Sequence, residues 1–397
     1  MRIAVDLTST PRSKTGIGRY MLGLIKGLQE CDSENEYYLF AQDDDLDGFG
    51  VYAPNFHMVP VKSRILRKQY IRILWEQFVF PWRLRKIKAD VLHCPNFTMP
   101  YTKKLIYRRL AVTSAMHDMT YFFLPEFHVG WKREMFKWYI KRTARACDKI
   151  ITISKNSEAD IPRYCKPKNP SVAVTYMGVK EEFFDGEKAS EETLSKYGIK
   201  GEYIYYVGTL EPRKNVPGLI NGYKMLPEEI RNRYSLVITG KKGWLYDEIF
   251  ETVSSSPELK DRVIFTGYVD DCDMVPIMHS ASVFAYVSFY EGFGIPVIEG
   301  MASGVPTVTS YGSSLEEISD GHCYLCDPKD PGSISGALAS AVRTAEDLKG
   351  ENGPDAQAAA SGKIEDAVKR ASGFTWKQCG IGSVEAFREA YEKRNGR

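Results

Sequence analysis

Glu291 and Glu299 stand eight positions apart in FYEGFGIPVIEGM (289–301), with Gly292, Gly294 and Pro296 between them. A carboxylate pair can attack and protonate a sugar in glycoside cleavage; equally, one carboxylate of a binding loop can hold a ligand while the other holds something else. Two adjacent cations, Arg213 and Lys214, lie in YVGTLEPRKN (206–215), between a strand-like run and a helical one. Arg can grip two diphosphate oxygens as a fork and Lys adds a compact point charge, although an isolated Arg-Lys pair is also ordinary surface. His117 and Asp118 close LAVTSAMHD (110–118), where a His can donate to a substrate hydroxyl or leaving group and an Asp can orient it. The same dipeptide also makes surface turns. Gly16 and Gly18 in TGIGRY (15–20) precede an amphipathic helix, a setting in which backbone N–H groups can face an anion. The third glycine and the downstream ribose carboxylate of a dinucleotide fingerprint are missing.

The elements that must position these residues alternate between short aliphatic runs and helical patterns, the signature of a parallel α/β architecture. Strands are predicted at 2–7, 36–41, 90–94, 110–118, 149–154 and 172–177, and again at 203–208, 235–240, 262–267, 282–288 and 306–310. Two serial sets imply two Rossmann-like domains with ligands at the carboxyl ends of the strands. The break falls in the polar stretch 178–193. Residues 345–363, low in bulky apolar side chains, are expected to form an exposed loop with helix edges. HCYLCDP (322–328) looks like a short strand, and its Cys323 and Cys326 have no second ligand pair at zinc spacing, so no metal is expected.

At 397 residues the chain suits two domains of roughly 150–200 residues each. The net charge of +2 hides an asymmetry: residues 1–180 carry 30 Lys and Arg against 17 Asp and Glu, and the remainder 23 against 34. A basic first half suggests that it meets something anionic. The start MRIAVDLTS does not read as a signal peptide, and no apolar run approaches the length of a membrane span, so a cytoplasmic protein is expected.

In combination these signals resemble the retaining family 4 glycosyltransferases of the GT-B fold. The likeness runs through TGIGRY, HDMTYFFLPEFH (117–128), IITISKNSEADI (150–161), YVGTLEPRKN, ITGKKGW (238–244), FTGYV (265–269), FYEGFGIPVIEGMASGVPTVTS (289–310), SSLEEISDG (313–321) and FTW (374–376). It covers nearly the whole chain, and the 289–310 block is highly specific. The GIGRY, HD and GTLEPRKN variants look most like the branch that builds bacterial polysaccharides, with mannosyl- and rhamnosyltransferase-like members. The resemblance implies two Rossmann-like domains facing across a cleft. Residues 1–178 would form the acceptor side, 179–374 would bind the nucleotide sugar, and a helix in 375–397 would return to the first domain.

By the same resemblance, Glu291 would bond the donor sugar's hydroxyls, and Gly292, Phe293 and Gly294 would present backbone N–H groups to the sugar. Glu299 would take the ribose hydroxyls, and Tyr268 and Val269 would lie against the base. Arg213 and Lys214 would bind the diphosphate and stabilise the leaving charge, while Gly16 and Gly18 approach the phosphates and His117 sits near the donor sugar. The implied reaction is hexosyl transfer with retention from a nucleotide-diphosphate sugar, GDP-mannose favoured, with no other cofactor, no protein nucleophile and no metal. Two positions depart from the family pattern. Thr209 stands where an arginine is common, so that Arg213 must supply the charge, and Glu316 replaces a proline in SSLEE, leaving that loop less rigid.

Two basic stretches remain. Residues 62–88 hold nine Lys and Arg and one acid, interleaved with Tyr70, Trp75, Phe78, Phe80 and Trp82, and 131–145 add six cations with Trp131, Phe136 and Trp138. Such surfaces favour anionic membranes, while the plainer alternative puts the aromatics in the core beneath solvated cations. No recognition motif for nucleic acid accompanies the charge. A peripheral enzyme at the inner face of the cytoplasmic membrane, acting on a lipid-linked saccharide, fits this reading. The competing classes are a dinucleotide-dependent oxidoreductase and a catalytically silent relative that binds a membrane or partner.

Overall fold

The structure, a computed structural model, describes residues 1–10, 16–62, 66–124, 130–167 and 171–396, with Lys132 described in its backbone alone. The chain divides into two compact units, Met1–Gly178 with Thr375–Arg397, and Val179–Phe374. Each is Rossmann-like.

The first unit is built on a seven-stranded parallel sheet. Its strands are β1 (Arg2–Asp6), β2 (Glu36–Gln42), β3 (Phe56–Val61), β4 (Val91–Cys94), β5 (Ala111–Ala115), β6 (Lys149–Thr152) and β7 (Val172–Val174). Their order is β3-β2-β1-β4-β5-β6-β7. The inner strands β4 and β5 are buried along their whole length, as strands covered on both faces must be. β3 was not predicted, and its sequence explains why: FHMVPV carries a proline, which a sheet tolerates at an edge, and β3 is the edge strand.

The C-terminal helix Trp376–Asn395 belongs to this first unit and lies against the Ile17–Cys31 helix and β4–β7. Glycine makes the approach possible. A Cβ on Gly27 would stand 1.9 Å from the carbonyl oxygen of Trp376, and one on Gly380 would stand 2.6 Å from the backbone of Gly27. The helix is capped by Thr375, whose hydroxyl accepts the N–H of Gln378 at 3.1 Å. At its far end Arg394 pairs with Asp148 at 2.7 Å, and Lys393 donates to the Asp148 carbonyl at 3.0 Å.

The second unit carries six parallel strands: β8 (Glu202–Val207), β9 (Tyr234–Thr239), β10 (Val263–Gly267), β11 (Val283–Tyr286), β12 (Thr307–Ser310) and β13 (Tyr324–Cys326). The order is β10-β9-β8-β11-β12-β13. The expected loop at 345–363 is corrected here. Helix Pro331–Leu348 enters it and helix Pro354–Ser372 leaves it, so that only Lys349–Gly353 connect them. The alanines that make the stretch poor in bulk are strong helix formers, and Pro354 sits at the first helical position, where its missing N–H costs nothing.

Candidate functional site

In each sheet the order reverses at one place, where β1 neighbours β4 in the first unit and β8 neighbours β11 in the second. Loops leaving the carboxyl ends of such a pair run apart and open a crevice. In the second unit β8 leads to the 3-10 turn Pro212–Lys214, and β11 leads into Val287–Gly294, so both charged motifs of the sequence converge there. Asn215 closes the turn in the left-handed region at φ 54°. Its side chain donates to the carbonyls of Val287 at 3.1 Å and Pro328 at 2.6 Å, and Phe289 N–H donates to the Arg213 carbonyl at 3.0 Å.

The cations and one glutamate are in direct contact. Arg213 donates through one guanidinium nitrogen to Glu291 Oε2 at 2.6 Å and to the Tyr290 carbonyl at 2.9 Å, and through the other to Glu211 Oε1 at 2.8 Å. Lys214 Nζ donates to Glu291 Oε1 at 2.6 Å and to the Tyr286 hydroxyl, which in turn donates to Glu291 Oε1 at 3.0 Å. Burial alone would raise the Glu291 pKa, but Arg213 and Lys214 outweigh it and hold the carboxyl at about 2. Burial also lowers the Lys214 pKa, helped by Arg213 and opposed by Glu291 and Glu211. The arrangement is a largely buried, preformed cation pair around Glu291, with Glu211 as a second partner of Arg213. Lys214 spends two of its three donors inside the protein.

The loop beyond Glu291 is fixed by its backbone. Gly292, Phe293 and Gly294 are buried, and the Phe293 ring packs edge-on against Phe374 at 5.8 Å. Gly294 has φ 108°, and a Cβ there would stand 2.3 Å from Leu315. It opens the Ile295–Ala302 helix, with Pro296 in the first turn and Glu299 buried. Ser314 ties this loop down by donating to the carbonyls of Glu291 at 2.7 Å and Phe293 at 2.9 Å. Where a proline would have stiffened SSLEE, Glu316 accepts the Gly312 N–H at 2.9 Å and Ser313 caps the helix Ser314–Ser319.

At the neighbouring strand ends, Tyr268 is half exposed with the ammonium of Lys241 4.3 Å from its ring centre. Val269 is packed inside. Among the described residues no group of three or more His, Cys, Asp or Glu could hold a metal ion. Cys323 and Cys326 are free thiols, pushed up to about 12 by burial.

The first unit's candidates lie around its own reversal point, Gly16 and Gly18 after β1 and His117 after β5, the neighbour of β4. Gly16 caps the Ile17–Cys31 helix at φ 49°, and Gly18 is buried in its first turn; Pro11–Thr15 lie outside the described residues. His117 Nε2 donates to the Pro95 carbonyl at 3.0 Å, and its ring meets Tyr20 edge-on at 4.6 Å. Burial lowers the His117 pKa, partly countered by Pro95 and Asp118. Pro95, rather than Asp118, orients the imidazole: Asp118 instead accepts from the Thr120 N–H and hydroxyl at 3.0 and 2.6 Å.

Sequence reasoning did not single out Glu211, Tyr286 or Ser314. Tyr286 left one signal, a hydroxyl in a wholly buried strand five residues before Glu291. The basic stretches split between core and surface. Phe80 is buried with Trp75 stacked on it at 4.8 Å, whereas Tyr70, Phe78, Trp82, Trp131 and Trp138 are exposed. Among the described residues no helix is long and apolar enough to cross a membrane.

Comparison with known proteins adds likenesses in family, sequence and fold to this geometry. Residues 14–183 match the family described as Glycosyltransferase Family 4, and residues 190–350 match Glycosyl transferases group 1. The chain is 29% identical to O-antigen chain mannosyltransferase B of Escherichia coli, over 94% of this chain and 96% of that one. It is 25% identical to O-antigen chain mannosyltransferase RfbU of Salmonella typhimurium (strain LT2), over 84% and 89%. In fold it is similar to Anabaena Alr3699/HepE in complex with UDP and glucose, with a TM-score of 0.67 at 16% identity over 97% and 98% of the two chains.

Proposed function

Because the chain belongs to the group 1 glycosyltransferases of the GT-B fold, we propose that it is a hexosyltransferase of cell-surface polysaccharide synthesis. The unit moved is a hexose, mannose favoured over rhamnose or glucose, taken from a nucleotide-diphosphate sugar, with GDP-mannose favoured, and placed on a saccharide. The similarity to O-antigen mannosyltransferases along most of both chains supports the sugar. The observation that carries the reaction is the grip of Arg213 and Lys214 on Glu291 at the β8/β11 reversal.

That grip supports the following roles. Arg213 and Lys214 stabilise negative charge as it builds on the departing diphosphate, the electrostatic contribution that usually dominates such sites. Glu291, held at about 2, is too weak a base to remove an acceptor's proton and acts as a hydrogen-bond acceptor for sugar hydroxyls. Phe293, with its ring turned into the core, and its flanking glycines offer backbone N–H groups to the same sugar. Glu299 takes the ribose hydroxyls, and Tyr268 and Val269 lie against the base. Gly16, Gly18 and His117 serve the donor from the first unit. Configuration is retained, with the departing phosphate oxygen accepting the acceptor's proton on the same face, and neither a protein nucleophile nor a metal takes part.

The acceptor is lipid-linked, and the first unit meets the inner face of the cytoplasmic membrane through 62–88 and 131–145, where Phe78, Trp82, Trp131 and Trp138 are exposed beside cations. A thermal-shift panel of GDP-mannose, other sugar nucleotides and NAD(P), followed by anomeric analysis of the product with and without chelator, tests the reading. Stabilisation by GDP-mannose above the rest and a chelator-resistant, retained product are expected. Stabilisation by NAD(P) alone would overturn it.

A further inference from the structure

Between the short helix Lys103–Ile106 and the last turns of the helix Gly130–Ala146 lies an open cleft of about 450 Å³. Tyr101, Trp138, Lys104, Lys141, Arg142 and Arg145 line it. Positions 138, 141, 142 and 145 follow helical spacing, so the longer helix brings one aromatic and three cations to a single face. The Arg142 guanidinium stands 4.5 Å from the ring centre of Tyr101 and 4.9 Å from that of Trp138. Tyr101 is itself anchored: its hydroxyl bonds the Thr143 hydroxyl at 2.8 Å, and its N–H donates to Gln77 Oε1 at 2.8 Å.

Among the described residues none of these four cations is paired with a carboxylate. The acids nearby are turned to other partners. Asp148 is taken by Arg394 at 2.7 Å and Lys103 at 3.4 Å, and Glu76 is buried against Arg72 at 3.3 Å. Among the described residues, four positive charges therefore converge on one cleft without a paired counter-charge, and an anion from outside relieves their mutual repulsion.

The surroundings say which anion. Leu105 is 87% exposed and Trp138 50%. Gln77 also donates to the Met99 carbonyl at 2.9 Å, and Arg85 to the Ile106 carbonyl at 3.4 Å, which ties the helices Gln69–Phe78 and Phe80–Lys86 to the cleft's edge. These helices and their junction carry the exposed Phe78, Val79 and Trp82. Exposed aliphatic and aromatic groups beside a cationic cleft suit a lipid, whose phosphate and acyl chains need both, better than a free phosphate or a nucleic acid.

We propose that this cleft is an anionic-lipid headgroup site, with the lipid phosphate held among Lys104, Lys141, Arg142 and Arg145 while Leu105, Phe78, Val79 and Trp82 enter the acyl boundary. The proposal deepens the membrane contact proposed above and rests on it. Co-sedimentation of the full chain with phosphatidylcholine vesicles, with and without phosphatidylglycerol, tests both.

The wild-type chain should bind only the vesicles with phosphatidylglycerol, and Arg142→Ala with Arg145→Ala should weaken that binding on the order of 30-fold. Removal of the exposed pair Arg108 and Arg109 by alanine controls for diffuse charge and should weaken it far less. Transfer to a soluble acceptor should be unchanged in both variants, which also shows that they fold. Failure of the wild-type chain to bind would overturn the membrane contact itself. Binding that Arg142→Ala with Arg145→Ala leaves intact, or that the Arg108 and Arg109 pair weakens equally, would overturn the cleft alone. So would an effect of the cleft variant confined to inorganic phosphate or to single-stranded RNA.

Discussion

Lys214 and Arg142 carry the same charge in opposite circumstances. Lys214 is largely buried, held by Glu291 and Tyr286 in a network that includes Arg213. Arg142 lies on the surface between two rings, with no carboxylate partner among the described residues. A cation with its counter-charge built in is fixed before any ligand arrives, which is what stabilising a developing charge requires. A cation without one is satisfied only by its surroundings, which suits a surface that docks. On the function proposed above, the second unit is organised for chemistry and the basic face of the first for attachment, a division that matches the opposite charge balance of the chain's halves.

The largest test of this division is Lys214→Ala. If the second unit's cations act on the leaving diphosphate, turnover should fall on the order of 10²–10³-fold, with vesicle binding unchanged. The cleft variant at Arg142 and Arg145 should do the reverse. Kinetics with a soluble acceptor and vesicle co-sedimentation, run on both variants, read the two effects separately. Loss of both properties in either variant would erase the distinction between the units.

Acid provides a second test. The folded pKa of Glu291 is about 2 against an ordinary 4.5. For a carboxylate lowered in this way, the stabilisation is complete above about pH 4.5 and disappears as pH falls from there toward 2. Its size is about 3 kcal/mol. Glu291→Gln should lose that contribution at neutral pH and show a correspondingly flatter loss of stability between pH 4.5 and 2 than the wild-type chain. Urea unfolding across this range measures the difference, and Arg142→Ala should leave the slope as it is.

How much of this was legible beforehand depended on whether a residue's meaning is local. Parallel strands announce themselves as unbroken apolar runs, so β8, β9 and β11 were readable, whereas edge strand β3, interrupted by Pro60, was not. The loop expected at 345–363 failed because few bulky residues were read as an exposed loop with helix edges, although alanine lacks bulk and favours helix. Arg213, Lys214 and Glu291 could be nominated by type, but their contact spans 77 and 78 positions and depends on β8 lying beside β11. His117 was nominated too, while its anchor at Pro95, 22 residues earlier, was not. The cleft was least legible of all. Its six cations and aromatics come from two segments joined by the hydroxyl bond between Tyr101 and Thr143, which no charge count detects.

Tyr286 offers the finest test, because its hydroxyl touches both charges without carrying one. It accepts from Lys214 and donates to Glu291 Oε1, and its ring lies parallel to that of Tyr206 at 5.8 Å. Tyr286→Phe keeps the ring and its stacking and removes only this relay, so the fold should persist. One hydrogen bond to a charged group is worth about 1.5–3 kcal/mol, but Lys214 and Glu291 remain bonded to each other, which places the net cost near the lower end. If the hydroxyl positions the pair for the transition state, kcat should fall about 10-fold with little change in KM. A merely structural hydroxyl would lower Tm and leave kcat alone, and the built-in counter-charge would then suffice by itself to hold Lys214 in place.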